Sequence, residues 1–360
     1  MSKTKLYVGV DLHKRSSTWV ALDPEKNEVL QKKCSPDIKS LETLLARLPA
    51  KPEEIKLALE PVLGWRWIAR RCQKEGITVY PANPKKLKEI AYSDKKTDIH
   101  DARSLANLLR ADYLPEAYMA SDEVQYLRTL VRHRQVLVSL RTSLKCRIHA
   151  FCTAQGEHNT TSAPFKKEGR EWLERVSGQR EIKDHSELIE KIQPYLKAVE
   201  KRIEEEIENQ SELKKMIDLL QTIPGVGPVS SAAIAAEVAD FSRFDSAKKL
   251  ASYAGLNPIV RASGDKKHTF RLSKQGSPVL RHTLIEVATR VRDKENSRNL
   301  YAYYHRMKKE HKKTPLEARI ALAHKMLGCM YYMSKYNVSF NDQALRSAQS
   351  GVISKDLPGA

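Results

Sequence analysis

Four carboxylates in this sequence stand where they could act together. Asp11 closes the apolar run LYVGVD, Glu60 closes LALE, and Asp98 and Asp101 open the helical stretch DIHDARSLANLL. Spaced three apart, the last two share one helix face. An aspartate ending an apolar strand is costly to bury unless positive charge faces it. Four carboxylates converging from two strand ends and a helix would repel one another without cations. Such a cluster suits hard, oxygen-seeking ions such as Mg2+. Two such ions about 3.5–4 Å apart can activate an attacking oxygen and stabilise a leaving one in phosphoryl transfer. Taken singly, each carboxylate has an ordinary use. Asp11 could cap a turn, Asp98 could cap the helix, and Asp101 sits well near the positive end of the helix dipole. The combination is what points to chemistry.

A second constellation lies further on, in RASGDKKHTFRLSKQGSPVLR. Ser263 stands beside a glycine and is flanked by Arg261, Lys266 and Lys267. A serine hydroxyl is a weak nucleophile unless a base or metal activates it and positive charge stabilises the phosphorane. No histidine lies at a telling offset, so the residues alone read Ser263 as a loop serine. Ser273 and Ser277, in the SKQGSP turn, are weaker candidates. Lys266, Lys267, Arg271, Lys274 and Arg281 suit phosphate contacts. Upstream, IPGVGP is a tight turn between two helical runs, matching a helix-hairpin-helix. There the amides of Gly225 and Gly227 can approach a phosphate without Cβ obstruction. Tyr301, Tyr303 and Tyr304, near Arg306, Lys308 and Lys309, either stack on bases or dock an amphipathic helix.

These residues need elements to position them. Strands are expected at 6–14, 18–22, 28–34, 55–60 and 77–80, with helices at 38–48, 64–75 and after Pro84. Three consecutive strands followed by alternating helices and strands predict an α/β layer, a meander first and crossovers after. From Ser121 the texture becomes helical. Leu130, Leu137, Leu140, Leu144 and Phe151 form one heptad-like seam, and Ile189, Ile192, Leu196, Val199 and Ile203 another. These predict a helical hairpin or coiled-coil arm, packed within one chain or between chains. The expected divisions are 1–118 for the α/β domain, 119–218 for the arm, 219–345 for a mainly α domain, and 346–360 for a flexible tail.

Composition constrains the partners. The 360 residues carry 63 Lys and Arg against 44 Asp and Glu, a net charge of +19. Residues 241–313 hold 18 basic against 6 acidic residues, so most of the excess lies in about a fifth of the chain. A solvated helix face would mix its signs; this tract reads as a phosphate-binding surface. No run approaches the roughly 20 apolar residues of a spanning helix, and the N-terminus does not read as a signal peptide. Five scattered cysteines without CxxC spacing argue against a disulfide framework or structural zinc. A reducing cytoplasm is the expected compartment.

The strand order, Asp11, Glu60 and KTDIHDARSLA resemble the RuvC-like, RNase H-type domain of DEDD insertion-sequence transposases, a family that includes the Piv-type DNA invertases. IPGVGPVSSAAIAAE and YAGLNPIVRASGDKKHTFRLSKQGSPVLRHTL extend the resemblance over roughly residues 5–330. One departure is that the family usually has a glycine three residues after the glutamate, whereas Gly64 stands four after Glu60. The resemblance implies a RuvC-like domain, a coiled-coil arm and a mainly α transposase domain with a helix-hairpin-helix. It implies that Asp11, Glu60, Asp98 and Asp101 bind two Mg2+ ions and that Ser263 becomes covalently linked to DNA. It further implies donor and target DNA, a structured bridge RNA that carries sequence choice, a homo-oligomer (dimer or tetramer), and a prokaryotic, nucleoid-associated setting. The residues alone leave two other functions open: a junction-resolving endonuclease that uses water, and a non-catalytic nucleic-acid-binding scaffold.

Overall fold

A computed structural model describes residues 4–90, 97–156, 165, 170–176, 178, 180–263, 266–273, 275–291 and 297–342. Lys274 and the expected tail at 346–360 lie outside the described residues. The chain divides into two compact units, Met1–Met119 and Ala120–Ala360.

The first unit runs β1 (Leu6–Leu12), β2 (Ser17–Leu22), β3 (Glu28–Cys34), α1 (Ile38–Leu45), β4 (Ile55–Leu59), α2 (Trp65–Lys74), β5 (Thr78–Pro81), α3 (Pro84–Ile90) and α4 (Asp98–Arg110). Its five-stranded sheet has the order β3-β2-β1-β4-β5. The meander β1-β2-β3 is antiparallel, and the crossover strands β4 and β5 run parallel to β1. Alternation along the strands makes two faces. Leu6, Val8, Val10 and Leu12 of β1 join Leu57 and Leu59 of β4 in a core with Leu41 and Leu44 of α1 and Ile68 and Cys72 of α2. On the other face α4 packs Ala102 and Ala106 on Val20 and Leu22, and Leu105 and Leu109 on Ala58.

Gly9, at the centre of β1, decides how closely α4 can lie. A Cβ there would be driven into the carbonyl oxygen of Ala102 and would stand 2.6 Å from the Ala106 nitrogen. Helix backbone thus rests directly on strand backbone, which only glycine below and small residues above permit. The helix begins where Thr97 caps it, its hydroxyl accepting from the His100 amide at 3.2 Å. Asp98 is therefore the first helical residue rather than the cap. Likewise β4 stops at Leu59, so Glu60 lies one residue past its end. Gly64 has φ +87° at the start of α2, a left-handed turn that suits glycine.

The second unit comprises α5 (Asp122–Ala154), α6 (Arg170–Val176), α7 (Arg180–Glu208), α8 (Ser211–Gln221), α9 (Pro228–Val238), α10 (Ala247–Tyr253), β6 (Pro258–Ser263), β7 (Lys266–Leu272), α11 (Pro278–Arg290), α12 (Arg298–Lys309) and α13 (Pro315–Tyr336). The long helices α5 and α7 pack along each other within the chain. Their C-domain end joins the main core through Leu127, Leu130, Val131, Val199, Ile203 and Ile207. Their far end forms a separate cluster with Ile148, Cys152, Trp172 and Ile182.

The seam between these clusters is polar. Arg134 pairs with Glu200 at 2.7 Å, and Arg141 donates to Gln193 at 3.3 Å. The α7 seam reads as expected, with Ile189, Leu196, Val199 and Ile203 buried. In the α5 seam Leu130 is buried and Leu137, Leu144 and Phe151 are partly buried, whereas Leu140 is 51% exposed. This unit is mostly helical, as expected, with one antiparallel hairpin, β6-β7, within the basic tract. Among the described residues no helix is long and apolar enough to cross a membrane.

Candidate active site

One row of residues crosses the sheet of the first unit. Lys33 pairs with Thr18 between β3 and β2, and Thr18 pairs with Asp11 between β2 and β1. The β1-β4 ladder ends at Val10 and Leu59, so Asp11 and Glu60 follow at adjacent strand ends. Strand alternation puts Asp11 on the face of Gly9, against which α4 packs. The first turn of α4 then brings Asp98 to the row. Gly9 sets that distance.

The side chains converge on a histidine. His13 Nε2 stands 3.1 Å from Asp11 Oδ2 and 3.4 Å from Asp98 Oδ1. The second oxygen of Asp98 accepts from Lys33 Nζ at 2.7 Å. One ligand atom each from Asp11, His13 and Asp98 can be chosen so that all lie within 4.8 Å of one another. An open cleft beside them, about 410 Å3 in volume, is lined by Thr18, Gln31, Lys33, Thr97 and Asp98. Thr18 is buried in the sheet, and its Oγ1 has no hydrogen-bond partner among the described residues.

The two carboxyls are pulled in opposite directions. Burial raises the Asp11 pKa; His13 opposes this, while the charges of Asp98 and Asp101 add to it. Asp98 is held below the ordinary carboxylate range, first by the hydrogen bond from Lys33. Asp101 lies outside the tight cluster and bears on Asp11 through its charge. The sequence pattern therefore found the carboxylates but not His13, Lys33 or Gly9. His13 had a usable signal, since it shares strand parity with Asp11 two residues earlier.

The donor set suits a divalent cation. Two carboxylate oxygens and an imidazole nitrogen lie at coordination spacing, with Glu60 and Asp101 close by in the fold. Lys33 brings positive charge to this cluster through its ion pair with Asp98.

The other expected site residues belong to the second unit. Arg261 and Ser263 lie on β6, with Lys266, Lys267 and Arg271 on β7. Ser263 pairs with Lys266 at the end of the hairpin. IPGVGP joins α8 to α9, and Gly225 has φ +88°. The Gly227 amide donates to Ser230 Oγ at 2.9 Å, a local bond that occupies that donor. Arg281 Nη1 donates to the Ala254 carbonyl at 3.4 Å. Ser277 caps α11 by accepting from the Leu280 amide at 3.1 Å, which gives it a structural role. Tyr303 and Tyr304 are half-buried against the core, so these two dock α12.

This unit also holds a buried carboxylate. Glu237, at the end of α9, is 1% exposed in its side chain, and Arg132 of α5 grips it in a fork at 2.7 and 3.0 Å. Arg128 and the Tyr253 hydroxyl donate to the carbonyl of the same residue, at 3.4 and 3.0 Å. The pair clasps α5 to α9.

A mixed sheet of this order, with carboxylates at adjacent strand ends and a mostly helical remainder, is compatible with an RNase H-like DEDD domain. Comparison with known proteins agrees. Residues 8–154 match the model of the IS110-type DEDD transposase family, described as Transposase, and residues 217–305 match the model described as Transposase IS116/IS110/IS902 family. A transposase homologue of Sinorhizobium fredii is 29% identical over 193 residues, 54% of this chain and about half (47%) of that one. The transposase for insertion sequence element IS1328 of Yersinia enterocolitica is 25% identical over 285 residues, 78% of this chain and 82% of that one. The pilin gene-inverting protein of Moraxella bovis is 34% identical over 134 residues, 36% of this chain and 40% of that one. The two models together span most of the chain, which belongs to the DEDD transposase family of insertion sequences.

Proposed function

We propose that this chain cleaves and rejoins the DNA strands of an insertion sequence, using a divalent-metal carboxylate centre and a serine nucleophile. The observation that carries the reading is the convergence of Asp11 and Asp98, brought together by the close packing of α4 on Gly9. Asp11, Glu60, Asp98 and Asp101 would hold two Mg2+ ions. Cations held there would polarise the scissile phosphodiester and stabilise its departing oxygen. Lys33 orients Asp98 by occupying one of its oxygens.

Ser263 attacks phosphorus: a P–O bond forms at its Oγ as a P–O bond to deoxyribose breaks. The serine proton is released and the departing oxygen takes one up. Attack by a deoxyribose hydroxyl on the phosphoserine then rejoins DNA and frees Ser263. The basic tract supports this role, since Arg261, Lys266, Lys267 and Arg271 share the hairpin with Ser263 and carry charge for phosphate. Lys274, Arg281 and the Gly225–Gly227 turn would add further phosphate contacts. Arg281 and the Gly227 amide already bond within the chain, so they contribute after giving up those partners.

Target choice resides in a bridge RNA that pairs with donor and target DNA, which fits abundant sequence-neutral phosphate chemistry without a base-reading motif. The working form is a homo-oligomer, and the long α5-α7 arm joins its protomers. The similarity to a pilin gene-inverting protein favours a second outcome of the same chemistry, inversion of a fixed segment. The carboxylate centre is tested by Asp11→Asn. Cleavage of the element's end DNA should be lost while the circular dichroism spectrum is unchanged. Undiminished cleavage would exclude Asp11 from the centre.

A further inference from the structure

We infer that His13 is itself a metal ligand beside Asp11 and Asp98, so that the centre binds Mn2+ in preference to Mg2+. This inference rests on the carboxylate centre proposed above and adds a nitrogen donor to it. His13 follows β1 with the parity of Asp11, and its Nε2 faces one oxygen of each aspartate, at 3.1 and 3.4 Å. Ligand atoms about 2.1 Å from a six-coordinate ion stand about 3 Å apart along an edge of the coordination shell. The two separations therefore match edges of one coordination polyhedron. Asp98 is divided between two tasks. Its Oδ2 is taken by Lys33, which leaves Oδ1 turned to His13 and available for coordination.

The chemistry of the third donor sets the preference. An all-oxygen site suits Mg2+, whereas imidazole nitrogen favours transition ions. Mn2+ accepts both donor types in octahedral geometry and tolerates the oxygen-rich surroundings that Glu60 and Asp101 would supply. His13 is 55% exposed, so its replacement leaves the core of the sheet intact.

The full-length protein, wild type and His13→Ala, is titrated with Mn2+ alone and then with Mg2+ as competitor. Bound Mn2+ is read by electron paramagnetic resonance, with pulsed detection of nitrogen coupling. Wild type should show 14N modulation that His13→Ala lacks. Loss of the ligand should lower Mn2+ affinity about tenfold while changing Mg2+ affinity less than about twofold. Circular dichroism confirms that the variant is folded. Mn2+ bound without nitrogen coupling, or coupling that survives in His13→Ala, would overturn ligation by His13 and leave the carboxylate centre standing. Failure of wild type to bind Mn2+ would overturn both.

Discussion

Asp11 and Asp98 share one imidazole, yet their carboxyls are pushed apart in acidity by what lies behind them: sheet interior for Asp11, and the Lys33 ammonium for Asp98. Both carboxylates were visible in combination, Asp11 closing an apolar strand and Asp98 standing three residues before Asp101 at a helix start. His13 was hidden because its partners are carboxylates, one of them on a helix far along the chain, and not another histidine at short spacing. Lys33 becomes meaningful only once strand register sets it in line with Thr18 and Asp11. The clasp between Arg132 and Glu237 was equally hidden, since both sit among many charges and only the burial of Glu237 marks the pair. Arg132→Ala leaves the Glu237 carboxylate buried without its counter-charge. The loss should be about 3 kcal/mol, a fall in Tm of about 6–12 °C. Replacing both residues with methionine should recover most of it. A calorimetric scan in which Arg132→Ala melts like wild type would mean that the pair contributes nothing net.

At the scale of elements, the position of α4 matters most, and a single glycine governs it. Gly9→Ala introduces a methyl group where the Ala102 carbonyl already lies, so the helix must move away from β1. The expected cost is about 1–3 kcal/mol of stability. The variant should also bind divalent metal weakly, because Asp98 moves with the helix while Asp11 stays on the strand. Thermal melting and a Mn2+ titration of the same sample check both parts. Full metal affinity in a destabilised protein would show that α4 does not set the site's geometry. The strands of this unit were legible because one apolar face alternates cleanly, as Leu6, Val8 and Val10 do. Helix α5 was less legible. Its middle interleaves partly buried Leu137 and Leu144 with Arg134 and Arg141, which Glu200 and Gln193 satisfy across the pair. A search for apolar period therefore settled on Leu140, which faces water. The β6-β7 hairpin was obscured by its own charge, which dominated the reading of the tract.

At the scale of the molecule, the four carboxylates belong to the first unit and Ser263 to the second. The proposed chemistry therefore needs the two units, of one chain or of two, to meet across DNA. The division near residue 119 was legible as a change of texture. The arm and the C-terminal helices were read as separate domains, but Leu127, Leu130, Val199 and Ile203 join them to a single core. That sharing is invisible to local pattern, because each apolar seam looks complete by itself. The excess positive charge of this second unit would supply the phosphate affinity that the proposed chemistry needs, while nothing in that charge selects a sequence.

Covalent trapping tests whether Ser263 and the carboxylate centre act together. The protein is incubated with its element's end DNA, the transcribed flanking RNA and Mg2+, then denatured and digested for mass spectrometry. A denaturation-resistant protein–DNA adduct at Ser263 is expected, absent from Ser263→Ala and from Asp11→Asn. Cleaved DNA without an adduct would make water the nucleophile, and would contradict the account.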